Sequence, residues 1–225
     1  MMSSGLTTST GRKSKTGRIE HEMSREKEQS AMELKTCITT RRSIRKYLPD
    51  PIPHELLEEL LEGAVTAPSG VNNQPWYFVA LETREAVEAY RELMRQNTGT
   101  FRRHLEERFP NHPEVVESTL EYLSTLGSAP TVVLAFLLKP EFNRSHKSNP
   151  ALQSVAAAIE NLLLLAWDKG IGSCWMTAPF SMGVDEVLEA TYAPGHGQLV
   201  AAVAMGYPAQ EPKMPRRREG RIVFL

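Results

Sequence analysis

Apolar residues recur along this chain with two periods, and the two alternate. From His54 the residues Leu56, Leu57, Leu60, Leu61, Ala64 and Val65 fall at i, i+1, i+4, i+5, i+8 and i+9, which predicts an amphipathic helix. Pro53 can begin that helix, because a first helical residue has no use for its N–H. Ala67-Pro68-Ser69-Gly70 stops it, and a loop over residues 71–75 leads into a strand at Trp76–Leu81. Thr131–Leu138 is apolar without a break, the pattern of a strand buried on both faces. Residues 199–205 repeat that pattern and end at Gly206-Tyr207-Pro208.

The longest apolar stretch organises the rest. Asn149 can cap a helix, Pro150 suits its first position, Lys169 answers the dipole in its last turn, and Gly170 can take the left-handed turn that ends it. Between these ends Leu152, Val155, Ile159, Leu162, Leu163 and Trp167 go around the whole cylinder, which implies burial on every side. Glu160 and Asn161 interrupt the run, well short of the ~20 apolar residues a membrane span needs. A domain of this size has little room for a helix with no wet face, so a second copy of the chain is expected to cover part of it. Residues 171–177 then read as a strand entering the core.

Shorter elements fill the gaps. Residues 31–42 predict a short helix carrying Met32, Leu34, Cys37 and Ile38. Residues 85–103 and 114–126 predict two more, separated at Pro110 and Pro113, and Asp185–Tyr192 a further one. Residues 97–113 are polar and read as irregular, a candidate mobile cover over a site. Strands alternating with helices give an α+β sandwich, a mixed sheet covered by helices. Ile222-Val223-Phe224 near the C-terminus needs a sheet edge or a partner subunit to cover it.

Composition narrows the function more than the fold. A chain of 225 residues makes one domain with a real core or two small ones. The net charge of −1 draws the protein to neither nucleic acid nor an anionic membrane. Two cysteines, Cys37 and Cys174, are too few for a disulfide framework and fit a reducing compartment, so a cytoplasmic location is expected. The six histidines are scattered, with no metal-ligand spacing. Residues 1–30 are rich in Ser, Thr, Gly, Lys, Arg and Glu and lack the apolar core of a secretory signal; they read as a disordered tail ahead of a domain at 31–225.

Three separated segments offer donors to an anion or a planar polar ring. Arg41, Arg42, Ser43 and Arg45 bring guanidinium forks and a hydroxyl to a helix end. Ser69, Gly70, Asn72, Asn73 and Gln74 form an amide-rich loop suited to the edge of a heterocycle. Arg216, Arg217 and Arg218 add a second guanidinium cluster. Bidentate arginine holds a phosphate well, each charge-assisted bond contributing roughly 1.5–3 kcal/mol. Taken singly, an arginine run also describes a solvated face, and Pro-Ser-Gly-Val-Asn-Asn-Gln-Pro an ordinary turn.

In combination the segments resemble a known family. Arg-Arg-Ser-Ile-Arg-Lys-Tyr, Ala-Pro-Ser-Gly-Val-Asn-Asn-Gln-Pro-Trp, the buried helix with Gly-Ile-Gly-Ser-Cys-Trp-Met, and Gly-Tyr-Pro with the terminal arginines stand in the order seen in the nitroreductase family of FMN-dependent oxidoreductases, from about Thr36 to the C-terminus. The resemblance implies an intertwined homodimer with two FMN at the interface. It assigns Arg41, Arg42, Ser43 and Arg45 to FMN phosphate and the pyrimidine edge, and Ser69, Gly70 and Asn72 to a flavin bound mainly by the other subunit. Trp175, Met176 and Thr177 match the strand end over the isoalloxazine, where a backbone N–H faces the reactive nitrogen. Arg216 matches a C-terminal phosphate ligand, with Arg218 beside it. NADH or NADPH would deliver a hydride, and a nitroaromatic, quinone or activated alkene would receive it from the same slot, with no protein nucleophile. The family also holds deiodinases of halogenated tyrosines and a flavin-fragmenting branch. The deiodinase lid grips an amino acid through an acidic residue, a Tyr and a Lys; Glu88 and Tyr90 are the nearest counterparts, without the spacing. A non-enzymatic FMN sensor or store is the reading from outside catalysis.

Overall fold

The computed structural model describes residues 32–138 and 150–225. The expected tail at 1–30 and the Asn149 cap lie outside those residues. The chain divides into two units, Met1–Glu33 and Leu34–Leu225, and the second carries all the elements described below. Its helices are α1 (Leu34–Thr40), α2 (His54–Ala64), α3 (Arg84–Arg108), α4 (Pro113–Thr125), α5 (Pro150–Asp168), α6 (Ala178–Met182) and α7 (Asp185–Tyr192). Its strands are β1 (Trp76–Leu81), β2 (Thr131–Leu138), β3 (Gly172–Met176) and β4 (Gly197–Gly206).

The strands form one sheet in the order β1-β2-β4-β3, and all three pairings are antiparallel. The expected mixed sheet therefore has its parallel component in a single bridge between Ser43 and Ser173 at the β3 edge. The unbroken apolar run of β2 has a different cause from parallel pairing: helices cover both faces. Val132, Leu134 and Phe136 face a core shared with α3, α4 and α7. Val133, Ala135 and Leu137 alternate into a second core beneath α2 and α5.

Within its own chain α5 is covered on part of its surface. One face, with Val155, Ala158, Ile159, Leu162 and Ala166, is fully buried. Around the rest of the cylinder Ala156, Leu164, Leu165 and Trp167 are half-buried and Leu152 stands 42% exposed. Pro150–Asp168 is long and apolar enough to cross a membrane by length and composition alone, but 39% of its apolar window is buried inside this fold. Gly170 takes the left-handed turn at φ 73°, and Lys169, one residue past the helix, pairs with Glu59 at 2.7 Å.

A correction concerns residues 97–113. The chain stays helical through Arg108, as one 25-residue helix. Polar composition hid the reason: Phe101 and Leu105 lie four apart on one face, and both are buried in the core shared with α4. Thr83 caps the start of this helix by accepting from the Ala86 N–H at 3.2 Å. Only residues 109–112 turn between α3 and α4.

Candidate functional site

The segment 41–47 is extended and stitched on both sides. Ile44 donates its N–H to Ser173 O at 2.9 Å, Tyr47 to Gly127 O at 2.9 Å and Leu48 to Tyr207 O at 2.9 Å; Ala209 donates to Lys46 O at 2.9 Å. Ile44 is fully buried against Gly172, where a methyl group would come within 2.7 Å of its side chain. The Tyr47 hydroxyl donates to Ile44 O at 2.5 Å, with Ala204 O 3.1 Å away. Burial drives the Tyr47 phenol far above its ordinary range, so it stays a neutral donor. With the inner residues pinned, Arg41, Arg42, Ser43 and Arg45 are left half-buried or exposed.

These four side chains do not converge. The Arg41 guanidinium pairs with Glu160 on α5 at 3.4 Å. Arg42 folds back, donating to Thr39 O at 2.9 Å and Arg41 O at 2.6 Å. Helix α1 is itself tied to α5, through Cys37 Sγ to Leu164 O at 3.1 Å and Trp167 Nε1 to Thr40 Oγ1 at 3.0 Å. Burial, and then the Asp168 charge, raises the Cys37 thiol. Arg45 points the other way, its guanidinium carbon 5.9 Å above the Tyr122 ring centre.

Arg45 lies in a cleft of about 550 Å³ between this segment and α4. Lys46, Ser118, Thr119, Tyr122 and Gln210 line it with Arg45, and Gly127 closes one end. The volume falls in the range of small-molecule sites. The Tyr122 hydroxyl is buried with no hydrogen-bond partner among the described residues, and burial raises its pKa. That hydroxyl lies on the core side, beside Cys174 and Tyr47, and Glu121 adds a carboxylate to the cleft's lining. Ser118, Thr119, Tyr122 and Gln210 were not legible as site residues. Tyr122 sits in a helix where an aromatic reads as core, and Gln210 follows β4 with no motif around it.

The loop after α2 is held by its own side chains. Ser69 Oγ accepts from Gln74 N at 3.0 Å, and Asn72 Oδ1 accepts from Gln74 Nε2 at 3.1 Å. Val71, Asn72 and Gln74 have φ of 48°, 55° and 45°. Left-handed backbone costs a β-branched residue most, on the order of 1–3 kcal/mol, and Val71 is 100% exposed, so the loop's hydrogen bonds rather than burial of Val71 hold the conformation. At the end of β3, Met176 is buried, Trp175 half-buried and Thr177 exposed. Arg216 and Arg218 are exposed in irregular chain, and Arg216 pairs with Glu219 at 3.6 Å.

Among the described residues no group of three or more His, Cys, Asp or Glu is placed to hold a metal. Glu88 is bound by Arg91 and Arg95, and Tyr90 is 1% exposed, so neither is open to an amino-acid ligand.

Known proteins resemble this chain in sequence and fold. Residues 38–207 match the profile of the nitroreductase family. A candidate NAD(P)H nitroreductase of Bacillus subtilis is 29% identical over 192 residues, covering 85% of this chain and 92% of its own. The solved nitroreductase of Bacteroides fragilis with bound FMN is 27% identical at a TM-score of 0.64, covering 86% of this chain and 99% of its own. A solved iodotyrosine deiodinase bound to FMN and 3-iodo-L-tyrosine is 27% identical at a TM-score of 0.67, covering 85% of this chain and 98% of its own.

Proposed function

This chain belongs to the nitroreductase family, whose chemistry is FMN-dependent oxidoreduction, and we propose that it uses NADH or NADPH to reduce small electron-poor molecules such as nitroaromatics, quinones or activated alkenes. One observation carries the reading: within the family match, Arg45 of the 41–45 segment lies in a cleft of about 550 Å³ bordered by Lys46, Ser118, Thr119 and Gln210. Those residues fit a flavin. Arg45 and Lys46 offer positive charge to an anionic group, and Ser118, Thr119 and Gln210 offer hydrogen bonds to a polar ring edge. Arg41, Arg42 and Ser43 would serve the phosphate with Arg216 and Arg218, and Trp175, Met176 and Thr177 would border the ring.

When bound, FMN supplies acceptance of a hydride from the nicotinamide and its return to the second substrate. The chain's own part is to bind and orient. Arg45, on a backbone that is paired on both sides, would bring a positive charge to the bound cofactor at the cost of side-chain freedom alone. Tyr47 and Tyr122, both held protonated by burial, present hydroxyls rather than phenolates to their surroundings.

The protein is proposed to work as a homodimer in the cytoplasm, without nucleic acid or membrane partners. Leu34 at 67%, Ile38 at 57% and Leu152 at 42% exposure, with the fully accessible tail at Ile222 to Phe224, are apolar surface of the kind a partner covers. A second copy would also account for the strained, exposed loop bearing Ser69, Gly70 and Asn72. A reductive dehalogenase is the second reading, favoured by the likeness to iodotyrosine deiodinase; the engaged Glu88 and buried Tyr90 weigh against it.

The test is to purify the chain, record its visible spectrum and size, and titrate with NADH and NADPH without oxygen. A yellow dimer bleached by either nucleotide, turning over with a nitroaromatic, is expected; flavin bound without turnover would make it a store. Arg41→Ala should lose FMN. A colourless monomer indifferent to added FMN overturns the proposal.

A further inference from the structure

Between α4 and β2 the chain makes a left-handed turn of three successive residues: Leu126 at φ 53°, Gly127 at φ 59° and Ser128 at φ 69°. Two of the three are not glycine, so the turn needs outside support; each such residue costs on the order of 1–3 kcal/mol. Its inner side lies on the arginine segment. Gly127 accepts from Tyr47 N, and a methyl group on Gly127 would overlap the carbonyl of Arg45. The shape of this turn therefore sets where the Arg45 backbone runs, and so where its guanidinium enters the cleft.

The outer side is clamped by one residue of α3. Arg91 donates Nε to Thr125 O at 3.1 Å and Nη2 to Ala129 O at 3.4 Å, the two carbonyls that bracket the turn. Its remaining Nη1 is paired with the half-exposed Glu88, apart from the two carbonyl contacts. A guanidinium makes this double contact with a rigid plane; a lysine ammonium at the same place would reach one carbonyl.

We infer that Arg91 is a positioning residue for the flavin cleft, acting on Arg45 through the Leu126–Ser128 turn. The inference rests on the proposal that the Arg45 cleft takes FMN. It is tested by measuring FMN affinity, from quenching of flavin fluorescence, in Arg91→Met, Arg91→Lys, Glu88→Ala, Arg45→Ala and the double variant Arg45→Ala/Arg91→Met, with circular dichroism to confirm folding.

Both Arg91 variants should bind FMN roughly 10-fold more weakly, the loss of about one charge-assisted contact. Glu88→Ala, which keeps the clamp, should bind within about twofold of wild type. In the Arg45→Ala background the Arg91→Met change should add nothing, because its effect runs through Arg45. Arg91→Lys answers for Arg91→Met should the latter fold poorly. If Arg45→Ala weakens FMN and the Arg91 variants do not, or if the two effects add in full, the inference falls and the cleft assignment stands. If Arg45→Ala leaves FMN affinity unchanged, both fall.

Discussion

The two arginine clusters, 41–45 and 216–218, have the same chemistry and opposite supports. The first is an edge strand in all but length, its backbone bonded to β3 on one side and to the chain after β4 on the other. The second lies in irregular, exposed chain, and its Arg216 has only Glu219 for company. A guanidinium on a fixed backbone gives up side-chain freedom alone when it meets an anion. One on a free segment gives up backbone freedom too, roughly 1–2 kcal/mol for each residue ordered. Equal charges should therefore contribute unequally to cofactor affinity until a partner or ligand orders the tail.

The sharpest way to break that comparison is to disturb the support itself. Gly127→Ala places a methyl group into the Arg45 carbonyl and forces a left-handed alanine. It should cost on the order of 3 kcal/mol of stability in a denaturant titration. A loss under about 1 kcal/mol would mean that the turn is soft and does not fix Arg45.

A gentler comparison exchanges the clusters directly. Arg45→Ala should weaken FMN on the order of 100-fold, near the upper end for one charge-assisted contact. Arg216→Ala should weaken it by about 10-fold or less, the ordering cost of its segment having offset part of the contact. Equal losses, measured by equilibrium dialysis, would show that the tail is as well fixed as the strand segment.

The smallest effect lies at the clamp's outer partner. Hydrogen bonds from Arg95, followed by those from Arg91, hold the Glu88 carboxyl below its ordinary range. A depressed carboxyl stabilises the fold above its unfolded-state pKa, and that contribution fades as pH falls through the folded-state value. Solvent screening limits it to below about 0.5 kcal/mol. Melting temperatures of Glu88→Gln and wild type should therefore differ slightly at neutral pH and converge in acid. A constant gap across pH would assign the difference to something other than this charge.

Much of the fold was legible because its elements carry strong local signals. The 3.6-residue period of α2, the unbroken β2 and the Pro150 to Gly170 punctuation each named an element within a residue or two. Residues 97–113 were misread because helix there is maintained by only two buried anchors, Phe101 and Leu105, in otherwise polar chain. Local composition cannot register a contact made with α4 and α6. Part of the candidate site was legible for a similar reason: Arg41, Ser43 and Arg45 stand in a dense run of donors. Tyr122, Gln210 and Arg91 carry no such mark, since each acts through neighbours distant in sequence.

By itself the amino-acid order settled the four strands and the helices with strong period or caps, that both sheet faces need cover, and that the chemistry belongs to a flavin-using family. Folding in three dimensions decided that the strand pairings of the sheet are antiparallel, that Arg45 turns toward α4 while Arg41 turns toward α5, and which face of α5 its own chain buries. The physical reason is range. Periodicity and capping act over a turn or two of chain, whereas strand partners, guanidinium directions and the covering of a surface are chosen by groups that meet only after the chain has closed.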